Sequence, residues 1–203
     1  MTGLVLIDYG AGNLRSVANA LAAVGCEVVV TSDPAEVRAA DRIVLPGVGA
    51  FAAAMAALRA REGLVEALDE AVRVRGVPFL GVCVGMQLMA AWGEEHGRTA
   101  GLGWVPGTIG PLAPSADARV PHMGWNDVVP TAGGAPLIEW GEAYFLHGYA
   151  YRGDGPEVVA VTDHGGPVVA AVASGSAIGV QFHPEKSGRY GLAFLSRFLD
   201  WRP

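Results

Sequence analysis

The chain has 203 residues, of which 51% are hydrophobic and 17% charged, with a formal net charge of -6. This length is enough to bury a sizeable core, and no linker-like segment divides the sequence, so we expect a single domain spanning residues 1–203. The sequence lacks the basic cluster of a nucleic-acid-binding protein. It also lacks a long apolar run or a basic, apolar leader, so we expect no membrane span and a cytoplasmic protein.

Strand and helix patterns alternate through the first part of the chain. Apolar, β-branched runs are typical of strands, and apolar residues three or four positions apart are typical of amphipathic helices. Strands are predicted at Leu4–Asp8, Cys26–Thr31, Arg42–Leu45 and Gly76–Val82, and helices at Leu14–Leu21, Ala35–Ala40, Phe51–Leu58 and Leu64–Arg75. This alternation predicts an α/β fold of three layers, with a mostly parallel central sheet and helices on both faces.

The second part of the chain is richer in short strands separated by glycine and proline. Strand-like pieces lie around Trp104, at Met123–Val129 and at Ala143–His147. A hairpin is predicted from Val158–Thr162 and Val168–Ala173, with His164-Gly165-Gly166 at its turn. A last strand, Ala177–Phe182, precedes a closing helix with its apolar face at Leu192, Leu195, Phe198 and Leu199.

The segment Gly81-Val82-Cys83-Val84-Gly85 is the strongest chemical signal in the sequence. An apolar strand precedes it and a helical pattern follows, as in a nucleophile elbow, where small flanking residues make room for a sharp turn. At the start of a helix, unpaired N–H groups favour the thiolate form of Cys83. The alternative is a buried structural cysteine. The other cysteine, Cys26, is interpreted as a core residue, and no disulfide is expected.

A nucleophilic Cys83 needs a base, and the best candidate is His183, with Glu185 as its orienting carboxylate. Pro184 fixes a backbone dihedral between them. The elbow and the His183 loop both follow predicted strands, and the carboxyl ends of parallel strands meet at one edge of a sheet. A catalytic triad is recognised by geometry and not by chain order. The alternative is that His183 is a structural or surface histidine.

The segment Pro46-Gly47-Val48-Gly49 is a candidate oxyanion loop. The backbone N–H of Val84 is one expected donor, and that of Val48 is the second. Glycines on both sides of Val48 would let its peptide adopt either orientation. Gly47, Gly49 and Gln87, which lies one helical turn beyond Cys83, are the candidate substrate-binding residues. The alternatives are an ordinary glycine-rich turn and a surface glutamine.

A partial nucleotide-binding pattern occurs near the N-terminus. Gly10-Ala11-Gly12-Asn13-Leu14-Arg15 follows a strand, and Asp33 lies further along, but Arg15 occupies the position where close helix packing needs glycine or alanine. A tight turn explains these glycines equally well. The remaining histidines, His96, His122, His147 and His164, show no metal-binding spacing, so no metal site and no cofactor are predicted.

Several segments together resemble the class I glutamine amidotransferases. They are Leu45–Phe51, Gly81–Gln87 and Gln181–Ser187. Two further segments, Asp8–Asn13 and Val120–Asn126, are similar to those of the glutaminase subunits of imidazole glycerol phosphate synthases, which act in histidine biosynthesis. The resemblance covers nearly the whole chain and implies a flavodoxin-like fold.

The resemblance also implies a reaction. Cys83 would attack the carboxamide of L-glutamine, His183 would carry the proton, and Glu185 would orient His183, giving L-glutamate and ammonia. In the family, ammonia passes to a cyclase partner with a (β/α)₈ barrel, as a heterodimer, and the loop matching Val48 is the suspected switch. That partner makes imidazole glycerol phosphate and aminoimidazole carboxamide ribotide.

Four positions of this chain match family positions at or near the partner interface: Asn13, His122, Trp125 and Lys186. On composition alone Trp125 would be a core aromatic, and Lys186 is the only lysine among 14 basic residues. Gly148 departs from the family, where serine is usual, so a contact to glutamine there would involve backbone only. Two other functions stay open: a cysteine peptidase or related hydrolase, and a regulatory subunit without catalysis.

Overall fold

The computed structural model describes residues 3–114, 118–132 and 136–203. The strands there are β1 (Leu4–Ile7), β2 (Val28–Thr31), β3 (Arg42–Gly47), β4 (Phe79–Cys83), β5 (Ala90–Gly93), β6 (Thr99–Ala100), β7 (Val105–Pro111), β8 (His122–Pro130), β9 (Gly141–His147), β10 (Tyr149–Arg152), β11 (Val158–Asp163), β12 (Pro167–Ser174) and β13 (Ala177–Val180). The helices are α1 (Leu14–Ala23), α2 (Pro34–Ala39), α3 (Phe51–Arg59), α4 (Leu64–Asp69), α5 (Val84–Gln87) and α6 (Gly188–Asp200). A π-helical turn, Glu70–Val74, continues α4, and a 3₁₀ turn, Pro184–Lys186, precedes α6.

A nine-stranded sheet of the described residues forms the centre of the fold, in the order β2-β1-β3-β4-β13-β12-β11-β8-β9. Neighbouring strands are parallel from β2 to β13 and antiparallel from β13 to β9. Every residue of β1, β3, β4 and β13 is buried, as expected for parallel strands covered on both faces. The predicted α/β fold with a parallel sheet centre is therefore confirmed.

The antiparallel part of the sheet contains the predicted hairpin, since β11 pairs with β12 on either side of His164. A second sheet, in the order β10-β7-β5-β6, lies outside the central one. Its strands come from the glycine- and proline-rich part of the chain. The apolar runs there are too short to predict where each strand begins and ends.

Some predicted boundaries differ from the structure. The helix after Cys83, α5, has only four residues before the chain turns into β5, so the helix-dipole effect expected at Cys83 is that of a single turn. The last strand ends at Val180, two residues before Phe182. Cys26 lies outside β2, is only half-buried and borders a cavity of about 380 Å³. Cys26 therefore packs against the edge of the core and is not fully buried within it.

Strand register brings three loops to one edge of the sheet. Gly47 at the end of β3 pairs with Cys83 at the end of β4, and Val82 pairs with Val180 at the end of β13. Because these strands are parallel neighbours, the loops that follow them open side by side at their carboxyl ends. The sheet itself thus places the segments after Gly47, Cys83 and Val180 together.

The far end of the core contains a buried arginine. Arg42 is 2% exposed, its Nη1 donates to the carbonyl of Trp201 at 3.0 Å, and its guanidinium lies 5.9 Å from the centre of the Phe198 ring. These contacts attach the end of α6 to the start of β3. Among the described residues, no helix has the length and apolar character that crossing a bilayer requires.

Candidate active site

Cys83 has the strained backbone of a nucleophile elbow. Its φ angle is +53°, a region that residues with a side chain rarely occupy. A Cβ added to Gly85 would overlap the carbonyl oxygen of Leu45, and one added to Gly81 would lie 2.6 Å from the carbonyl oxygen of Gly85. Glycine is therefore required at both flanking positions, as the sequence motif predicted.

The structure brings Cys83, His183 and Glu185 into one buried cluster. Cys83 and His183 line the same cavity and interact electrostatically, and Nδ1 of His183 lies 2.9 Å from Oε1 of Glu185. A carboxylate oxygen only accepts, so Nδ1 carries the proton and Nε2 is left to face the sulfur. The cluster has the arrangement of a nucleophile, a base and an orienting carboxylate.

The environment of His183 favours its protonated form. Burial alone would lower the pKa of His183, but the hydrogen bonds with Cys83 and Glu185 and the charges of these groups outweigh burial and raise it to about 9. The protonated form of the His183 ring is thereby stabilised. Such a ring can hold a thiolate before reaction and give up a proton to a leaving group afterwards.

The backbone of β9 fixes the loop that carries His183. The N–H of His183 donates to the carbonyl of Tyr144 at 2.9 Å. Ser187 completes the attachment, because its Oγ accepts from the N–H of Tyr144 at 2.9 Å and donates to the carbonyl of His183 at 2.6 Å. Both backbone polar groups of Tyr144 therefore hold this loop. Ser187 had no assigned role in the sequence analysis.

Cys83 and His183 line a cavity of about 340 Å³, a size suited to a small polar molecule. Val48, Gly49, Val84 and Gln87 line the same cavity. A larger cavity, of about 620 Å³, lies beside β11 and β12, but its lining contains neither cysteine nor histidine. Of these two cavities, the smaller one alone combines a cysteine with a histidine.

The two glycines of the candidate oxyanion loop have different roles. Gly49 has a φ of +88° and so needs glycine for its conformation. Gly47 instead lies in β3, where a Cβ would come within 2.6 Å of the backbone nitrogen of Gly85. The expectation that both glycines give the Val48 peptide freedom is therefore corrected, because Gly47 is fixed by close packing against the elbow. Val48 is exposed at the rim of the cavity.

Gln87 is buried, so the alternative that it is a surface glutamine is wrong. Its Nε2 donates to the carbonyl of Tyr149 at 3.0 Å and to Oε1 of Gln181 at 3.1 Å. Both amide hydrogens are thus committed to the protein, although Gln87 borders the cavity. As a candidate substrate-binding residue it can offer only its carbonyl oxygen.

Two polar residues were not found by sequence reasoning, one lining this cavity and one in contact with Cys83. Glu95 lines it, and its Oε2 accepts from the N–H of Phe51 at 2.7 Å, which ties the start of α3 to the turn after β5. Gln181 donates from Nε2 to Sγ of Cys83 at 3.7 Å. The position of Gln181, two residues before His183 and at the end of a buried strand, is the sequence feature that could have indicated its proximity to the site.

A hydrogen-bonded pair of buried histidines adjoins the cavity. Nδ1 of His147 lies 3.0 Å from the carbonyl of Tyr149, so it carries the proton and leaves Nε2 as an acceptor. Nδ1 of His122 lies 3.0 Å from that Nε2 and therefore donates to it. Burial, together with neighbouring histidines, lowers the pKa of His122 to about 3. Within the described residues, no group of histidine, cysteine, aspartate or glutamate side chains is arranged to hold a metal ion.

The four positions matched to a partner interface differ in exposure. Asn13 and Lys186 are exposed, and Trp125 is 57% exposed, so the alternative that Trp125 is a core aromatic is wrong. The Trp125 and Tyr144 rings pack edge to face 6.2 Å apart, and Nζ of Lys186 lies 5.8 Å from the centre of the Tyr144 ring. His122, in contrast, is buried and does not contribute to the surface of the isolated chain.

The residues of the partial nucleotide pattern have structural roles. Gly12 lies close to Pro46, with only 3.1 Å between an added Cβ and the proline ring. The side chain of Asn13 accepts from the N–H of Ser16 and caps α1. Asp33 caps α2 through the N–H of Ala35 at 2.8 Å. A tight turn and two helix caps account for this pattern without a nucleotide.

Sequence comparison identifies the family of the chain. Residues 5–200 match the model of the family described as glutamine amidotransferase class-I. The chain is 58% identical over 205 residues to imidazole glycerol phosphate synthase subunit HisH from Zymomonas mobilis, covering 98% of this chain and 96% of that protein. It is 49% identical over 214 residues to the subunit of the same name from Caulobacter vibrioides, covering both chains fully (100% and 100%).

Solved structures with similar folds agree with this result. A glutamine amidotransferase crystal structure superposes with a TM-score of 0.76 at 18% identity, covering 98% of each chain. PurLQS from Thermotoga maritima superposes with a TM-score of 0.73 at 20% identity, covering 98% of this chain and 99% of that one. At this identity they show the fold alone, which is that of a glutamine amidotransferase. The chain belongs to the class I glutamine amidotransferases and, among them, to the HisH subunits of imidazole glycerol phosphate synthase.

Proposed function

We propose that this protein is the glutaminase subunit of imidazole glycerol phosphate synthase, a single-domain cytoplasmic enzyme that hydrolyses L-glutamine to L-glutamate and ammonia. The observation that carries the proposal is that Cys83 and His183 line one cavity of about 340 Å³, with Nδ1 of His183 2.9 Å from Oε1 of the buried Glu185 carboxylate. The relatives are named as subunits of a synthase, which supports a second component.

The reaction proceeds through a thioester. Sγ of Cys83 attacks the carboxamide carbon of glutamine, the C–N bond breaks, and protonated His183 gives its proton to the leaving nitrogen, which departs as ammonia. His183 then takes a proton from water, whose oxygen attacks the thioester carbon. The C–S bond breaks, and glutamate and the starting cysteine are released. Glu185 keeps the proton on Nδ1 of His183 throughout.

Two backbone N–H groups stabilise the negative charge that develops on the carboxamide oxygen. Val84 follows the nucleophile directly, where the elbow directs its N–H toward the carboxamide oxygen. Val48, in the loop after β3, supplies the second N–H group. Gly49 follows it directly and allows the backbone there to change direction. Val48 is exposed at the rim of the cavity. A partner that binds there can therefore contact Val48 and change the direction of its N–H group.

The partner is the cyclase subunit, a (β/α)₈ barrel that binds as a heterodimer and receives ammonia before it reaches solvent. It uses ammonia and a phosphoribulosyl nucleotide to make imidazole glycerol phosphate and aminoimidazole carboxamide ribotide. The surface containing Asn13, Trp125 and Lys186 is the proposed contact face. Trp125 and Lys186 both approach the Tyr144 ring, and the Tyr144 backbone holds the His183 loop, so this face adjoins the catalytic cluster.

The proposal is tested by glutamate release from glutamine, measured for the purified chain alone and with the cyclase subunit and its nucleotide ligand. We expect release to rise with the partner, and Cys83→Ala to abolish it while circular dichroism shows an unchanged fold. Cys26→Ala is the matched control, because Cys26 lies at a separate cavity, and it should keep the parent rate. Glutamate release by folded Cys83→Ala would contradict the proposal.

The other two functions give different results in a labelling experiment. With the partner present, the glutamine-like electrophile diazo-oxo-norleucine should modify Cys83 and block glutamate release. A regulatory subunit without catalysis would leave Cys83 unlabelled. A peptidase would cleave peptides with no partner present and would not release glutamate from free glutamine.

A further inference from the structure

Gln181 places an amide beside the proposed nucleophile. Its side chain is fully buried, and its Nε2 lies 3.7 Å from Sγ of Cys83, within hydrogen-bond range for sulfur. Its Oε1 accepts from Nε2 of Gln87 at 3.1 Å. The Gln181 side chain thus connects the strand that ends before His183 to the turn that carries Cys83.

The hydrogen-bond partners determine which end of the Gln181 amide faces the sulfur. The carbonyl of Tyr149 can only accept, so the end of Gln87 that lies 3.0 Å from it must be the NH₂ group. The same NH₂ group contacts Gln181, so the atom of Gln181 that it meets must be the oxygen. The NH₂ group of Gln181 is therefore the end that faces Cys83, and a backbone carbonyl sets this orientation.

We infer that Gln181 is a further catalytic residue, which donates a hydrogen bond to Sγ of Cys83 and stabilises the thiolate, and that Gln87 is the positioning residue that orients it. This inference rests on the proposed function, since the thiolate matters only if Cys83 is the nucleophile. A neutral donor to a buried anion is a strong interaction because the anion has lost its water. His183 and Gln181 then provide two separate groups that stabilise the sulfur charge.

The donor also limits the position of the sulfur. Cys83 lies on a strained turn, where χ1 rotation could carry Sγ away from the cavity. The hydrogen bond from Gln181 at 3.7 Å restricts this rotation, and the His183 ring interacts electrostatically with the same sulfur. Loss of one donor should slow attack on the substrate and leave substrate binding nearly unchanged.

The test is the pH profile of Cys83 alkylation by iodoacetamide, which reports thiolate and needs neither glutamine nor a partner. All variants carry Cys26→Ala, so that Cys83 is the remaining one of the two cysteines. Gln181→Met keeps the length of the side chain and removes the donor. We expect the midpoint of its profile to rise by about one pH unit, and the alkylation rate below the midpoint to fall about tenfold.

Ser176→Ala is the matched control. Ser176 is buried just before the other end of β13 and donates to the carbonyl of Val72 at 2.9 Å, so this variant loses a buried hydrogen bond far from the sulfur. It should keep the parent midpoint even if its stability falls. A folded Gln181→Met with the midpoint of the parent would overturn the inference.

A second variant covers the case in which Gln181→Met does not fold. Gln87→Met leaves Gln181 in place and removes the group that orients its amide, so its alkylation midpoint should move in the same direction by a smaller amount. An unchanged midpoint overturns the orienting role of Gln87. With the partner, Gln181→Met should lower kcat about tenfold at a similar KM. A parent that releases no glutamate would contradict the proposed function, whereas the alkylation profile would still decide the role of Gln181.

Discussion

Nδ1 of His183 lies 2.9 Å from Oε1 of Glu185, and the two side chains are 4% and 2% exposed. The carboxylate has little solvent to screen it, so its effect on the imidazole is larger than that of a surface ion pair. Among the described residues, its other oxygen, Oε2, is buried and has no hydrogen-bond partner. The contact with His183 is therefore the main polar contact of the Glu185 side chain among the described residues.

Glu185→Gln should lower kcat for glutamate release by on the order of 10²- to 10⁴-fold with the partner present. The amide oxygen of glutamine can still accept from Nδ1 of His183, but the negative charge that stabilises the protonated ring is lost. The measurement is kcat and KM for glutamine with the cyclase subunit at saturation.

Glu139→Gln is the control for that change. Glu139 forms a surface ion pair with Arg197 at 2.9 Å, so this variant removes a carboxylate outside the cavity and should keep the parent kcat. If Glu185→Gln matched Glu139→Gln in kcat, Glu185 would have no part in the reaction.

The buried histidines predict a loss of stability in acid. Burial and neighbouring histidines lower the pKa of His122 from 6.5 to about 3, and burial, opposed in part by the hydrogen bond to Tyr149, lowers that of His147 to about 4. The unfolded chain therefore takes up protons at a higher pH than the folded chain. The stability that the neutral rings contribute is complete above pH 6.5 and is lost as pH falls through the two lowered values.

Each histidine should contribute a slope of up to about 1.4 kcal/mol per pH unit within this window. His122→Phe keeps the stacking on Phe145 and removes one titrating ring. It should be less stable than the parent at neutral pH by about 1–3 kcal/mol, because Nε2 of His147 loses its donor, and its acid decline should be shallower. Urea unfolding on both sides of the window measures this. Parallel curves would contradict it.

Glycine-to-alanine substitutions should destabilise the protein at the elbow but not at another glycine that lines the cavity. Gly85→Ala should prevent the native elbow from forming, at a stability loss of several kcal/mol or more, because its Cβ overlaps Leu45. Gly148→Ala is the matched control, because its Cβ would meet only Val120, at 3.7 Å, and its free energy of unfolding should stay within about 0.5 kcal/mol of the parent. Thermal unfolding compares the two, and equal losses would contradict the assignment.

Trp125 should be a major contributor to binding of the cyclase subunit. Trp125→Ala removes an exposed ring that packs on Tyr144, and we expect Kd for the cyclase to rise on the order of 30-fold. Trp140→Ala is the control. Trp140 is more exposed than Trp125, at 68% against 57%, and lies just before the start of β9, at the end of that strand away from His147. Calorimetry with purified cyclase measures both. Equal effects would show that the contact face is not the one proposed.

The sequence motifs indicated residues that the structure brings together, because each motif is short and locally constrained. The need for glycine at positions 81 and 85 depends only on the space around the backbone at Cys83. His183 and Glu185 are separated by a single proline, so their pairing is also a local feature. The alternation of strands and helices likewise predicted the parallel centre of the sheet, where local pattern and burial agree.

Contacts between distant segments could not be predicted in the same way. Gln181 and Gln87 are polar residues that the sequence places near an active site, but nothing local indicates that they bond to each other and to Tyr149. Composition alone favoured a core position for Trp125, yet it is 57% exposed on β8. Hydrogen bonds between distant side chains and the burial of a strand face depend on tertiary structure, which the periodicity of apolar residues does not predict.

The insertion of β13 beside β4 has a consequence for synthesis of the protein. Gln181 follows Cys83 by 98 positions, so β4 leaves the ribosome long before the strand that will pair with its free edge. Until then the nascent polypeptide displays an apolar strand with unsatisfied backbone groups, the kind of edge that promotes aggregation. Chains truncated before β13 should therefore need chaperones to stay dispersed, and recovery of activity during refolding should be among the last events to be observed.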